Sequence, residues 1–261
     1  MYAPPSADEF CFFETYGYLV LDSLLRKEHV AALRLATERA ISNRRHSNET
    51  DNSRTTIEGA NTRIFHILED DPLFLELVDF GPVLPYVQRL LCDTPHFHAS
   101  DAIWEVEPTG GKPRWHMDGK DGGFRSLRPG IPLLQLKVGY FLSDMTEPNQ
   151  GNLMIVPASH RTDTEPEPEH LQGFDSFPGA MQLCVAAGSC VMFHNALWHT
   201  KGPSTLQGGA RQLLYFAYEH PWMVANPEHW SYSKKFYRQL DEGRRAFFHG
   251  FVFDPPEQRW S

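Results

Sequence analysis

The spacing of apolar positions along the chain changes near residue 96. Upstream, "ADEFCFFETYG" follows Ser6, a side chain suited to cap a helix, and stops at Gly17, the residue that most easily takes a left-handed helix end. "YLVLDSLL" (18–25) then reads as a strand. Over 27–42, Val30, Leu33, Leu35, Ala36 and Ile41 recur at helical spacing, which predicts an amphipathic helix. "RRHSNETDNSRTTIEGA" (44–60) is largely polar and reads as a mobile loop. Asp70 or Asp71 opens a helical stretch through "PLFLELVDF", and "PVLPYVQRLLC" predicts another.

Beyond residue 96 the pattern becomes short strand-like runs between Gly, Pro, Asn and Asp turns. These are "FHASDAIWEVEP", "LLQLKVGYFLSD", "NLMIVPAS", "MQLCVAAGSCVMFH" and "QLLYFAYEH". Many short strands punctuated by turns predict a sandwich, barrel or jelly roll. Two long insertions, 119–132 and 161–180, are surface decoration or lids over a site, and 44–60 is a third lid candidate. "PEHWSYSKKFYRQLDEGRRAFF" is helical again. With no repeat and no linker, the chain reads as one domain over 1–261. It divides into a mostly helical part (1–95), a mainly β core (96–220) and a C-terminal helical extension (221–261).

Composition narrows the partners. A net charge of −9 and the lack of any basic run disfavour nucleic acid. No apolar stretch approaches the roughly 18 residues of a membrane helix, and the first ten residues lack the basic start and apolar run of a signal peptide. The four cysteines (11, 92, 184, 190) show no zinc-type spacing, so a reduced, cytoplasmic protein is expected, with a small molecule as its partner. Oligomeric state leaves no mark in the sequence.

The candidate chemistry begins at "PRWHMDGKDGG" (113–123), where His116 and Asp118 stand two apart. With 13 His and 15 Asp in 261 residues, roughly one His-x-Asp arises by chance, so the pair needs a third partner. "VMFHNALWHTKGPSTLQGGAR" (191–211) offers His194 and His199. His199, at the end of an apolar strand, would complete a face of two imidazoles and one carboxylate, with about three positions left open on iron(II). His194 is then a core or neighbouring histidine. Twelve residues after His199, Arg211 opens the next strand, and a guanidinium there can hold the far carboxylate of a chelating keto acid through two parallel hydrogen bonds.

Together, His116-x-Asp118, "QGNLMIVPASH" (150–160), His199 and Arg211 resemble the phytanoyl-CoA dioxygenase family of iron(II)/2-oxoglutarate oxygenases. The N-terminal "FFETYGYLVLDSLLRKEHVAALR" is similar to that family's opening, so the likeness spans most of the chain. Ala158 stands where the family usually has Gly, a change that affects a turn. The resemblance implies a double-stranded β-helix, a jelly-roll, cupin-like core flanked by helices. It implies Fe(2+) on His116, Asp118 and His199, with 2-oxoglutarate, anchored by Arg211, and O2 as cosubstrates. It further implies cosubstrate contacts from Arg63, the alternative for which is a surface ion pair, and from Tyr140. Asp118 argues against related halogenases, which replace this carboxylate by a small residue, and so favours hydroxylation with release of succinate and CO2. A cupin-like metal enzyme that uses no keto acid and a non-catalytic jelly-roll module are the alternatives.

Other side chains are open in two directions. Gln135 and Lys137 share one face of an otherwise apolar strand; if that face lines the barrel, Lys137 must meet a carboxylate, of substrate or cosubstrate. Trp104, Trp115, Phe124 and Trp198 either wall the substrate pocket or fill the core. Lys120, Arg125, Arg128 and Lys137 could form a local anion pocket. His160 reads as a turn cap.

Overall fold

Helix α1 (Ala7–Tyr16) starts where Ser6 accepts from the Glu9 amide while Glu9 accepts from the Ser6 amide, and it ends at Gly17 with φ +78°. In this computed structural model the described residues are 5–46, 54–108, 111–118, 127, 131–162, 164–205, 209–223 and 232–248. Strand β1 (Tyr18–Leu21) follows α1, and helix α2 runs over Lys27–His46, burying Val30, Leu33, Ala36 and Ile41 as the periodicity predicts.

The polar 44–60 stretch departs from the loop expected of it. Helix α2 continues to His46, and Thr55–Glu58 forms β2, paired with β3 (Asn61–Phe65). Residues 47–53 lie outside the described residues. The strand was hidden because it is mostly exposed, so no apolar alternation marks it. Arg44, at the basic end of α2, fixes it by donating to the Arg54 and Phe65 carbonyls and to Asp70.

Helix α3 is a single turn (Pro72–Leu75) capped by Asp71, and α4 covers Leu84–Leu90. The β region supplies β4 (His96–Glu105), β5 (Gln135–Phe141), β6 (Leu153–Ile155), β7 (Met181–Gln182), β8 (Cys190–His194), β9 (His199–Lys201) and β10 (Arg211–Glu219). "MQLCVAAGSCVMFH" therefore holds two strands, not one. They are parted by a turn at Gly188, where φ is +93° and a Cβ would lie 2.7 Å from the Leu25 carbonyl oxygen. Helices α5 (Lys234–Gln239) and α6 (Glu242–Arg245) follow.

The strands form two antiparallel sheets, one ordered β1-β8-β5-β10-β4-β3-β2 and one ordered β7-β6-β9. This is a jelly-roll, double-stranded β-helix core with flanking helices. The three strands before residue 96 close both edges of the large sheet, so residues 1–95 contribute to the β core as well as to its helical cover.

Strand alternation sorts the interior. Leu136, Val138, Tyr140, Leu214 and Phe216 face the helices with Phe13, Leu33 and Ile41. Ile103, Phe141, Val191, Phe193 and Leu213 face Leu153 and Ile155 of the small sheet. A third cluster, with Trp115, Met117, Met154 and Trp198, covers the outer side of the small sheet. No helix among the described residues is long and apolar enough to cross a membrane.

Candidate metal centre

Burial alternates along residues 112–118: Pro113, Trp115 and Met117 are buried, while Lys112, Arg114 and His116 are exposed and Asp118 is intermediate. Trp115 and Met117 are held in the cluster outside the small sheet, where Trp115 stacks edge-on to Phe177. That anchoring turns His116 and Asp118 toward the space between the sheets. His116 also exchanges both backbone hydrogen bonds with His199 (3.0 and 2.9 Å), which sets the two rings 4.2 Å apart.

His116 Nε2 lies 3.9 Å from Asp118 Oδ1, and His199 Nε2 lies 3.9 Å from Asp118 Oδ2. One ligand atom from each residue falls within 4.8 Å of the others. The tautomers are fixed by local contacts. His116 Nδ1 is 2.8 Å from the Arg114 carbonyl and His199 Nδ1 is 2.8 Å from the Leu197 carbonyl. A carbonyl only accepts, so each Nδ1 carries the proton and each Nε2 offers a lone pair. Burial pushes the His199 imidazole down to about 4, against the opposing charge of Asp118, so it is neutral near pH 7.

Asp118 Oδ2 is buried and accepts no hydrogen bond. Burial opposes its charge, but Lys137, His199, His116 and Arg63 together hold its carboxyl below the usual value. Two lone pairs and a carboxylate thus face one point with no proton between them. Such a set is satisfied only by a cation, and imidazole plus hard carboxylate without thiolate suits iron(II).

A cavity of about 750 Å³ opens over this point, in the size range of small-molecule sites. Arg211 lines it, 4% exposed, with Nη1 3.2 Å from Glu105 Oε2 and a buried Nε that finds no acceptor. Lys201 Nζ reaches the other oxygen of Glu105 at 2.8 Å. Gly151, at φ +77°, leaves room for the arginine stem; a Cβ there would lie 2.7 Å from Arg211 Cδ. Lys137 faces inward, 3.7 Å from Asp118 Oδ2. Arg63 lines the cavity while paired with Asp101.

A model of the family described as phytanoyl-CoA dioxygenase (PhyH) matches residues 13–210, about three quarters of the chain. The chain belongs to that family. Among PhyH relatives, ectoine dioxygenase of Sphingopyxis alaskensis is 27% identical over 161 residues, covering 61% of this chain and 51% of the relative. The chain thus spans about half the length of the ectoine dioxygenases it matches. In fold it is similar to the apo form of EctD from S. alaskensis (TM-score 0.71, 22% identity, 87% of this chain and 81% of that one). HygX from Streptomyces hygroscopicus with nickel and 2-oxoglutarate bound gives a TM-score of 0.65 at 20% identity, over 85% of this chain and 89% of that one.

Four expected site residues of this PhyH chain lie elsewhere. Tyr140 points the other way from Lys137, into the helix-side core, where its hydroxyl donates to the Leu77 carbonyl at 3.4 Å. Trp104 alternates with the cavity-lining Ile103 and Glu105 and also packs on that core. Trp115 packs outside the small sheet, its indole donating to the Gly173 carbonyl at 3.2 Å. Gln135 donates to Glu219 at 3.1 Å, within a buried cluster with His96 and His98. Phe124, Lys120, Arg125 and Arg128 lie outside the described residues. His194 is a core histidine whose Nδ1 accepts from the Ala196 amide, and His160 packs against it while bonding the Glu14 carbonyl.

The sequence reading overlooked Asp101, Glu105, Lys201 and Tyr215, all of which line the cavity. Two carried a usable signal. Asp101 and Glu105 sit at even spacing with Ile103 in an apolar strand, the mark of charged groups turned inward.

Proposed function

We propose that this chain is an iron(II)- and 2-oxoglutarate-dependent oxygenase that oxidises, most simply by hydroxylation, a small organic molecule, with release of succinate and CO2. The observation that carries this reading is the set of three acceptors, His116 Nε2, Asp118 and His199 Nε2, turned to one point beside the buried Arg211. Their chemistry fits iron(II), which when bound supplies oxygen activation and oxidation of an unactivated C–H bond, with 2-oxoglutarate and O2 consumed.

The chain's own residues do the rest. The Arg114 and Leu197 carbonyls keep both imidazoles in the ligating tautomer. Arg211, set by Glu105 and given space by Gly151, offers its fork to the distal carboxylate of 2-oxoglutarate. Lys137 stands ready for a second anionic oxygen once Asp118 is engaged by the metal. Leu153, Phe193 and Ile103 give the cavity a dry inner wall. We read residues 1–261 as one domain working in the cytoplasm, a placement supported by four unpaired cysteines.

The test is anaerobic. Iron(II) protein given 2-oxoglutarate should develop the weak visible charge-transfer band of a chelated keto acid, and H116A and D118A should lose it. No band in the wild-type protein overturns the reading. Retention of the band in R211A, at unchanged 2-oxoglutarate affinity, would move the anchor elsewhere.

A further inference from the structure

The cavity's charges do not balance. Its lining carries six cations (Arg63, Lys112, Arg114, Lys137, Lys201, Arg211) against four acids, Glu58, Asp101, Glu105 and Asp118. The chain as a whole carries −9, so this excess of positive charge is local. Arg63 is matched by Asp101, Lys137 lies beside Asp118, and Glu105 serves both Lys201 and Arg211. Among the described residues, Lys112 and Arg114 make no ion pair.

Their position ties them to the reaction. Lys112, Arg114, His116 and Asp118 occupy alternate positions of one segment, and all four line the cavity. At ~3.3 Å per residue, Arg114 stands roughly 7 Å and Lys112 roughly 13 Å along the chain from the first imidazole. The remaining cavity wall is mixed, with Phe65, Phe174 and Phe193 beside Thr56, Asn61 and Thr62.

We infer that Lys112 and Arg114 form a recognition site for an anionic group, carboxylate or phosphate, on the substrate, holding that end at the mouth while an apolar portion reaches His116 and Asp118. This rests on the proposed function, because charge neutrality there decides the sign. A divalent metal and the dianion 2-oxoglutarate cancel one another, and the six cations still exceed the four acids by two. A neutral or cationic substrate would leave that excess uncompensated. A monoanion halves it and a dianion removes it, and two cations on one group is how carboxylates and phosphates are commonly held.

The experiment uses octanoate, octyl phosphate and octanamide, which share a chain and differ in charge. Each is titrated calorimetrically into full-length protein loaded anaerobically with iron(II) and saturated with 2-oxoglutarate, while the visible band is followed. Either anion should bind at least tenfold more tightly than the amide, with the advantage shrinking as salt is raised. The stronger of the two identifies the anion class. In the K112Q/R114Q double variant that advantage should fall at least tenfold, while the visible band still develops in full at saturating 2-oxoglutarate, since the Arg114 carbonyl that orients His116 is retained. Equal binding of anion and amide, failure of every probe to bind, or an undiminished preference in the double variant would overturn the inference. Absence of the band in wild-type protein would instead overturn the proposed function, and the calorimetric comparison of wild type with the double variant would still test Lys112 and Arg114.

Discussion

His116 and His199, 83 positions apart in sequence, exchange both of their backbone hydrogen bonds and so present their rings side by side at 4.2 Å. The bridge joins the 112–118 segment to β9, which itself pairs with β6 at Ile155. The ligand set is therefore prebuilt by main-chain pairing, and its unmet need lies in the side chains alone. A prebuilt set of three acceptors lets a metal bind without rebuilding the backbone.

Substitution of Asp118 should separate metal binding from the fold. Asn at 118 keeps the size, removes the charge that Lys137, His199, His116 and Arg63 favour in the folded protein, and leaves no second carboxylate oxygen for a metal. Metal-free D118N should melt somewhat below the metal-free wild type at neutral pH, because the neighbours that hold the Asp118 carboxyl below its usual value stabilise its charge in the folded protein. Wild type with manganese(II) at a hundred times its Kd should gain about 2.7 kcal/mol, roughly 5–10 °C in Tm. D118N should gain almost nothing. Thermal melts with and without manganese check both; a metal-induced shift retained in D118N would reassign the ligand.

The approach of Gly151 to Arg211 predicts a specific loss. A Cβ at 151 would sit 2.7 Å from Arg211 Cδ on a backbone at φ +77°, so G151A must displace the arginine stem. The apparent KM for 2-oxoglutarate should rise tenfold or more in G151A, with manganese affinity unchanged. R211K should behave similarly, because an ammonium cannot reproduce the fork. Steady-state succinate release at varied 2-oxoglutarate measures this, and an unaltered KM in G151A would dissociate Arg211 from the cosubstrate.

Period and punctuation made much of this molecule legible before its structure. Ser6 and Gly17 bounded α1, and of the apolar positions of 27–42, Val30, Leu33, Ala36 and Ile41 lie on the face α2 buries, while Leu35 is turned to solvent. The candidate metal face was legible because His-x-Asp is a local pattern, His199 follows a strand-like run and Arg211 opens the next. What escaped was orientation. Tyr140, Trp104 and Trp115 are one residue out of phase with Lys137, Glu105 and His116, and a single step along a strand moves a side chain to the opposite face. Chemical type suggested the two tryptophans for the pocket, and the family resemblance suggested Tyr140 as a cosubstrate contact; pairing register, invisible in one sequence, sent all three away from it. Strand β2 escaped for another reason, since an exposed edge strand needs no apolar alternation.

At the far end of β10, Glu219 gives a pH-dependent contribution to stability. Burial opposes its charge, but hydrogen bonds from His96, His98 and Gln135 hold the carboxyl down to about 2, below its ordinary 4.5. A carboxyl depressed in the folded state binds protons more readily when unfolded. Its contribution is therefore full above about pH 4.5 and is lost as pH falls toward 2. E219Q should be less stable than wild type by about 3 kcal/mol at neutral pH, and the gap should narrow below pH 4.5. Urea unfolding at a series of pH values tests this; a gap that widens on acidification would show the sign to be wrong.

Lys137 carries the last prediction, in which two affinities move in opposite directions. Its ammonium stands 3.7 Å from Asp118 Oδ2, close enough to compete with a metal for that carboxylate and to repel the metal's own charge. K137M keeps a long apolar stem in a strand whose neighbours are Phe193 and Ala217, so the fold should tolerate it. Freed of the competing cation, the two histidines and Asp118 should bind manganese(II) about three- to tenfold more tightly. The same change removes a positive charge from a cavity that must receive a dianion, so 2-oxoglutarate should bind more weakly to the iron(II) form. Calorimetry with manganese gives the first affinity and titration of the visible band gives the second. If K137M weakened the metal instead, Lys137 would be acting chiefly to orient Asp118, and its place in the cosubstrate site would have to be given up.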